Sequence, residues 1–214
     1  MVGAALPGFA PVAIPSAVAD ALSAVGRRLD ARGWVPATAG NFSYRLGPGR
    51  IAITRSGSHK GFLSPDQLMV VDEAGMPEDA GARPSAETAL HCGIYRRFGD
   101  ANVALHGHSV PCTVLSRLAD GKLELAGYEL LKAFPGLATH DAAIQLPVLD
   151  NDQDIPRMQA ALDALWASQP SPVPGFLIRG HGAYVWGHDM PQALLRLEAL
   201  EFMLACEVEA RRLR

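Results

Sequence analysis

The sequence predicts an α/β domain in which one mixed or antiparallel sheet is covered by helices on both faces. Three observations predict it. Helix-like and strand-like periodicities alternate along the whole chain, and several strand-like runs come in adjacent pairs. A length of 214 residues, with 49% hydrophobic and 19% charged side chains, suits one domain large enough to bury a core.

Residues 1–14 are apolar and proline-containing and read as a flexible N-terminal arm, leaving a single domain over 15–214. No positive charge precedes the apolar part, so a secretion signal is not expected. A first helix is predicted from about Ser16 to Arg32, with Val18, Leu22, Val25 and Leu29 along one face and Gly33 as its stop. Short strands follow at Phe42–Leu46, Ile51–Thr54 and Leu68–Val71, the first two joined by Gly47-Pro48-Gly49. A helix starting near Ser85 carries Leu90, Ile94 and Phe98 at spacings of four. A buried strand from Asn102 runs to His106–His108. Beyond Pro111 a helix reaches about Leu118, then come a short acidic segment and a helical piece at Tyr128–Phe134. A strand at Ala143–Val148 precedes a helix from about Asp154, with Met158, Leu162, Leu165 and Trp166 facing inward. Strands Phe176–Arg179 and Ala183–Trp186 flank His181, and Asp189-Met190-Pro191 caps a long helix to about Arg211.

Composition narrows the function classes. A net charge of -3 provides no basic footprint for nucleic acid and no polybasic segment for a membrane surface. Nothing approaches the roughly 20-residue apolar run of a membrane span. Cys92, Cys112 and Cys206 are scattered and form no CxxC pair, which fits a reducing, cytoplasmic setting.

Leu105-His106-Gly107-His108, read with Gly180-His181-Gly182, is the most informative feature. Side chains two apart on a strand share a face, so His106 and His108 present two imidazoles side by side. Glycines around His181 allow close approach of backbone and ligand. Two histidines at a strand end are also compatible with a purely polar role, but the second glycine-flanked histidine favours a metal site. Three imidazoles without thiolates leave a divalent ion with open positions, as in catalytic rather than structural zinc.

Two glutamates are candidates for proton transfer. Glu87, in Pro84-Ser85-Ala86-Glu87, opens the helix before the metal strand, where a first-turn carboxylate is also simply favoured by the helix dipole. Glu129 is flanked by apolar residues and is expected to be partly desolvated, with a raised pKa. Three small-residue stretches suit an anion: Thr38-Ala39-Gly40-Asn41, Ser56-Gly57-Ser58-His59-Lys60-Gly61, and Ser85 at a helix start. None matches a nucleotide-binding pattern.

The ordered series Gly40-Asn41-Phe42-Ser43, Ile53-Thr54-Arg55-Ser56-Gly57, Ser85-Ala86-Glu87, His106-Gly107-His108 and Arg179-Gly180-His181-Gly182 resembles the class II aldolase (aldolase/adducin head) family of zinc enzymes. The resemblance spans nearly the whole chain. Within the family, Ser58-His59-Lys60-Gly61, Pro84 to His91, Gly127-Tyr128-Glu129 and Gly180 to Gly187 resemble a dehydratase branch of methionine salvage.

The resemblance implies a three-layer α/β/α fold with a mostly antiparallel central sheet, and a homotetramer with active sites between subunits. It implies one Zn²⁺ per subunit on His106, His108 and His181, and phosphate held by Asn41, Ser56-Gly57, Lys60 and Ser85. The family's aldolases place the acid/base at the position of Glu87, and the dehydratase branch at that of Glu129. We expect Glu129 to carry the proton transfers, with Glu87 as a metal or substrate contact. The implied reaction is loss of water from a methylthio-substituted 2-keto sugar phosphate, through a metal-stabilised enediolate, to a 2,3-diketone. Phe62, Leu63 and Tyr184 are candidates for the methylthio corner. The alternatives are a sugar-phosphate aldolase or pentulose-phosphate 4-epimerase on the same site, or a non-catalytic zinc-containing scaffold.

Overall fold

The computed structural model describes residues 13–79, 81–169 and 173–213; most of the expected N-terminal arm, residues 1–12, lies outside the described residues. In chain order the strands are β1 (Asn41–Gly47), β2 (Arg50–Thr54), β3 (Leu68–Val71), β4 (Val103–Gly107), β5 (Lys122–Ala126), β6 (Ala143–Leu149), β7 (Gly175–Ile178) and β8 (Gly182–Gly187). The helices are α1 (Ser16–Ala31), α2 (Thr88–Arg97), α3 (Val110–Leu118), α4 (Ile155–Ala167) and α5 (Met190–Arg212).

Among the described residues the strands form one sheet in the order β3-β2-β1-β4-β8-β7-β6-β5. Every neighbouring pair is antiparallel except β6 and β7. Strand alternation sorts the side chains into two cores. Val103 and Leu105 of β4, with Ala183 and Val185 of β8, join the core shared with α1, α3 and α5. Ala104 of β4, with Tyr184 and Trp186 of β8, joins the core under α2 and α4. The result is the expected three-layer α/β/α arrangement.

Local chemistry explains the helix starts. Ser109, Asp154 and Asp189 accept from the backbone N–H of Cys112, Arg157 and Gln192 at 3.1, 3.0 and 2.8 Å. Each is followed by a proline in the first turn, which costs no helical hydrogen bond there.

Three local readings are corrected. Helix α2 begins at Thr88 and not Ser85, because Ser85–Glu87 form a turn whose Ser85 carbonyl accepts from Thr88 N–H at 3.1 Å. Strand β4 ends at Gly107, so His108 stands just beyond it, its N–H bonded to the Trp34 carbonyl. The stretch after α3 is not merely an acidic connection but the edge strand β5, with Leu123 and Leu125 inward. The helical piece expected at Tyr128–Phe134 is present, as a short 3-10 helix over Glu129–Ala133.

The centre of the sheet positions the site. A Cβ on Gly182 would lie 2.3 Å from the Gly107 carbonyl oxygen and 2.7 Å from His106 Cε1, so only glycine permits this approach of β4 and β8.

Candidate active site

His106 enters from β4, His108 from the position just beyond the end of β4, and His181 from the tight turn between β7 and β8. Their ligand atoms all lie within 4.8 Å of one another. His106 is fully buried, with Tyr184 stacked on it at 4.0 Å between ring centroids. Its Nδ1 sits 3.0 Å from the Ala183 carbonyl oxygen, which makes Nδ1 the protonated nitrogen. Nε2 is then a bare lone pair, buried and without a hydrogen-bond partner. Nδ1 of His181 is 3.4 Å from Asn151 Oδ1, again leaving Nε2 for the site. A ring nitrogen held by an outer partner, with the other free, is how histidine presents itself to a metal. The donor set therefore fits a divalent ion.

Burial keeps His106 and His108 neutral. It lowers the pKa of His106 to about 4, against a smaller opposing pull from Glu87. It lowers that of His108 to about 3, assisted by His106 and His181. No proton competes for either ring at neutral pH.

Glu87 reaches the same point from the turn before α2. Its Oε1 is 2.9 Å from His181 Nε2, and its Oε2 is 3.3 Å from His106 Nε2. Asn41 Nδ2 donates to Oε2 at 2.7 Å and to Ser85 Oγ at 3.1 Å. Burial would raise the carboxyl's pKa, but His106, His181 and the Asn41 hydrogen bond outweigh it and hold the group below the usual carboxylate range.

A cleft of about 270 Å³ opens beside the triad. Thr38, Ala39, Gly40, Asn41, Ser56, Gly57, Lys60, Ser85 and Glu87 line it. All the expected anion-holding segments thus converge. Lys60 is almost wholly buried, with Nζ donating to the carbonyls of Thr38 and Ser58 at 2.8 and 2.6 Å, two of its three N–H groups. Burial lowers its pKa to about 8, opposed by Glu87.

Asn151, Asp152 and Gln153 of the β6–α4 connection, and Ile155 and Met158 of α4, also line the cleft. Sequence reasoning missed these residues. Asn151-Asp152 offered only a polar loop signal, and Ile155 and Met158 fell within an ordinary helical pattern.

Glu129 is not brought to this cleft within the chain. Its side chain is 67% exposed and pairs with Lys132 Nζ at 2.5 Å and His140 at 3.3 Å. The Lys132 hydrogen bond and charge lower its pKa, the reverse of the expected rise. The methylthio candidates also fall elsewhere: Phe62 is exposed, Leu63 is buried in the core, and Tyr184 lies beneath His106.

The pattern of the family described as "Class II Aldolase and Adducin N-terminal domain" matches residues 20–208. "Methylthioribulose-1-phosphate dehydratase" of Granulibacter bethesdensis is 55% identical over 207 residues, 94% of this chain and 95% of the relative. The protein of the same name from Gluconacetobacter diazotrophicus is 54% identical, covering 92% of this chain and 94% of its own. The crystal structure of l-fuculose-1-phosphate aldolase from Thermus thermophilus matches with a TM-score of 0.73 and 28% identity, over 92% of this chain and 95% of that one.

Proposed function

This chain belongs to the class II aldolase and adducin family, and we propose that it is a lyase acting on 5-methylthioribulose 1-phosphate. The product is 2,3-diketo-5-methylthiopentyl 1-phosphate, a step of methionine salvage. The observation that carries the reading is the convergence of the His106–His108–His181 triad and Glu87 beside a cleft that also gathers Lys60, Ser56-Gly57 and Ser85. The identity to relatives bearing the dehydratase name supports the choice of reaction.

We take the resident ion to be Zn²⁺, one per subunit, on His106, His108 and His181. When bound it supplies Lewis acidity, polarising a carbonyl and easing negative charge beside it. The chain's own groups do the rest. Lys60, the Ser56-Gly57 turn and the Ser85 hydroxyl receive the phosphate through charge and donated hydrogen bonds. Asn41 acts at the same end by holding Ser85 and Glu87. The apolar side chains Ile155 and Met158, which also line the cleft, suit the methylthio end.

The reaction removes a proton from C3 and hydroxide from C4, which together make one water; tautomerisation then gives the diketone. Glu87, tied through Oε2 to Asn41, contacts the chelated end of the substrate. Proton removal at C3 and delivery to the C4 hydroxyl are assigned to Glu129. Since Glu129 lies outside its own chain's cleft, this assignment requires a neighbouring copy and goes with a homotetramer whose sites lie between subunits. The setting is cytoplasmic; among the described residues no helix is long and apolar enough to cross a membrane.

The test is an assay of zinc-loaded protein with 5-methylthioribulose 1-phosphate, following water loss. Glu129→Gln abolishes turnover, and mixing it with an inactive His108→Ala protein restores part of it through hybrid oligomers. Cleavage of fuculose or rhamnulose phosphate without any dehydration moves the chain to the aldolase reading.

A further inference from the structure

Behind Glu87 the structure contains a buried line of polar groups that neither the metal site nor the cleft accounts for. Asn41 and Ser43 lie two apart on β1 and face α2, where His91 and Tyr95 are one turn apart. All four are buried. His91 Nε2 meets Asn41 Oδ1 in a short contact. His91 Nδ1 meets Ser43 Oγ at 2.6 Å, and Ser43 Oγ meets Tyr95 Oη at 2.7 Å.

The chemistry of the two ends fixes the direction of every bond. An ionised carboxylate only accepts, so Asn41 must turn its NH₂ toward Glu87 Oε2. The second amide hydrogen goes to Ser85 Oγ. Asn41 Oδ1 therefore faces His91, whose Nε2 must carry a proton and donate it. Burial keeps the ring neutral, lowering its pKa to about 4, so Nδ1 is an acceptor. Ser43 gives its hydroxyl hydrogen to Nδ1 and takes one from Tyr95. One proton arrangement satisfies the line: Tyr95 to Ser43 to His91 to Asn41, and from Asn41 to both Glu87 and Ser85. An inverted amide would put Oδ1 against the carboxylate, acceptor against acceptor.

We propose that His91 is a positioning residue of the active site, holding the Asn41 amide by its carbonyl so that one side chain orients both Glu87 and Ser85. The inference rests on the proposed reading that Glu87 and Ser85 face the substrate. Held this way, Glu87 keeps Oε1 turned toward His181. Ser85, accepting from Asn41, keeps its own hydrogen for a phosphate oxygen in the cleft it lines. His91 thus couples the phosphate end to the metal end without touching the substrate.

Two measurements test this. The first is nitrogen NMR of ¹⁵N-histidine-labelled protein, with His91 assigned by the signals lost in His91→Gln. A neutral ring protonated at Nε2 from pH 5.5 to 9 is expected; a ring protonated at Nδ1, or a cation, in that range overturns the proposal. This readout needs no turnover, so it separates failure of the relay from failure of the proposed reaction.

The second is kinetic. His91→Leu lowers kcat by about 10- to 100-fold, the scale for losing an outer partner, while metal content stays at the wild-type ratio. His91→Gln, which can still donate to Asn41, recovers part of the loss. Combined with Asn41→Ala, His91→Leu adds nothing further, because both act through one amide. If His91→Leu does not fold, Tyr95→Phe replaces it, with a smaller loss of kcat that again vanishes on the Asn41→Ala background. Additive losses overturn the proposal in either series.

Discussion

The Glu87 carboxylate meets the His181 imidazole at 2.9 Å, although the two residues stand at opposite ends of the metal motif in sequence. Glu87 comes from the turn before α2, and His181 from the β7–β8 turn across the sheet centre. Their contact, with the 3.3 Å approach of Glu87 to His106, brings a carboxylate and two imidazole nitrogens to one point. A proton on His181 or a cation among these groups satisfies the carboxylate, and the depressed pKa of Glu87 reflects that attraction. With the ligand atoms of His106, His108 and His181 all within 4.8 Å of one another, the cluster is the donor set of a divalent cation.

Removal of metal should therefore stop turnover and leave the fold intact. Chelator-treated protein is expected to keep its circular dichroism spectrum, lose activity, and regain it with Zn²⁺. Asn151→Ala, which frees Nδ1 of His181 from its partner at 3.4 Å, is expected to weaken metal affinity by about 10- to 100-fold. Competition with a chromophoric chelator measures this. Unchanged affinity would show that Asn151 does not orient His181.

The methylthio end is expected to lie against Ile155. Ile155→Asn places an amide where the cleft wall is apolar, and should lower kcat/KM for the methylthio substrate by about 10-fold or more, the scale of misfitting one or two small apolar groups. For ribulose 1-phosphate, which lacks that group, kcat/KM should change much less. Equal losses for both substrates would place the methylthio group elsewhere.

Lys60 should impose an alkaline limit on substrate capture. Its folded pKa of about 8 means that it sheds its charge well below the usual lysine range. The plot of kcat/KM against pH is expected to fall above about pH 8. Lys60→Gln should lower kcat/KM by roughly 10- to 100-fold, the value of one charge-assisted hydrogen bond, and should flatten the limb. A limb that survives in Lys60→Gln belongs to another group.

The fold was legible where the side-chain period was strong. Val18, Leu22, Val25 and Leu29 announce α1, and the apolar run before His106 announces β4. Strand β5 was hidden because Lys122 and Glu124 face solvent, and its two inward leucines are too few to outweigh them. The triad was legible because imidazole spacing and flanking glycines are local features. The burial of Glu129 was misjudged because apolar sequence neighbours say nothing about burial of the side chain between them; Leu131 turns inward and Glu129 outward. Asn151, Ile155 and Met158 join the site only through the pairing of β6 with β7, which no local pattern records. The Glu87, His91 and Tyr95 spacing of four was visible, but its meaning depends on β1 lying beneath it.

Glu201 gives the last prediction, because a buried acid with no role in the cleft should leave its mark on stability. It lies in α5 at 2% exposure, and neither carboxyl oxygen meets a partner in normal hydrogen-bonding geometry. Burial pushes its pKa up to about 7, and the Ser109 hydroxyl offsets this only in part. The folded state therefore holds a proton that the unfolded state releases near 4.5. Relative to acid conditions, stability is complete below about pH 4.5 and declines as pH rises to about 7, after which it is level. A shift of this size corresponds to about 3 kcal/mol. Glu201→Gln keeps the shape and cannot ionise, so it should raise Tm at pH 8 and leave it nearly unchanged at pH 4.5. Thermal unfolding at the two pH values decides the matter: an equal Tm change at both would mean that packing, and not ionisation, sets the cost of this carboxyl.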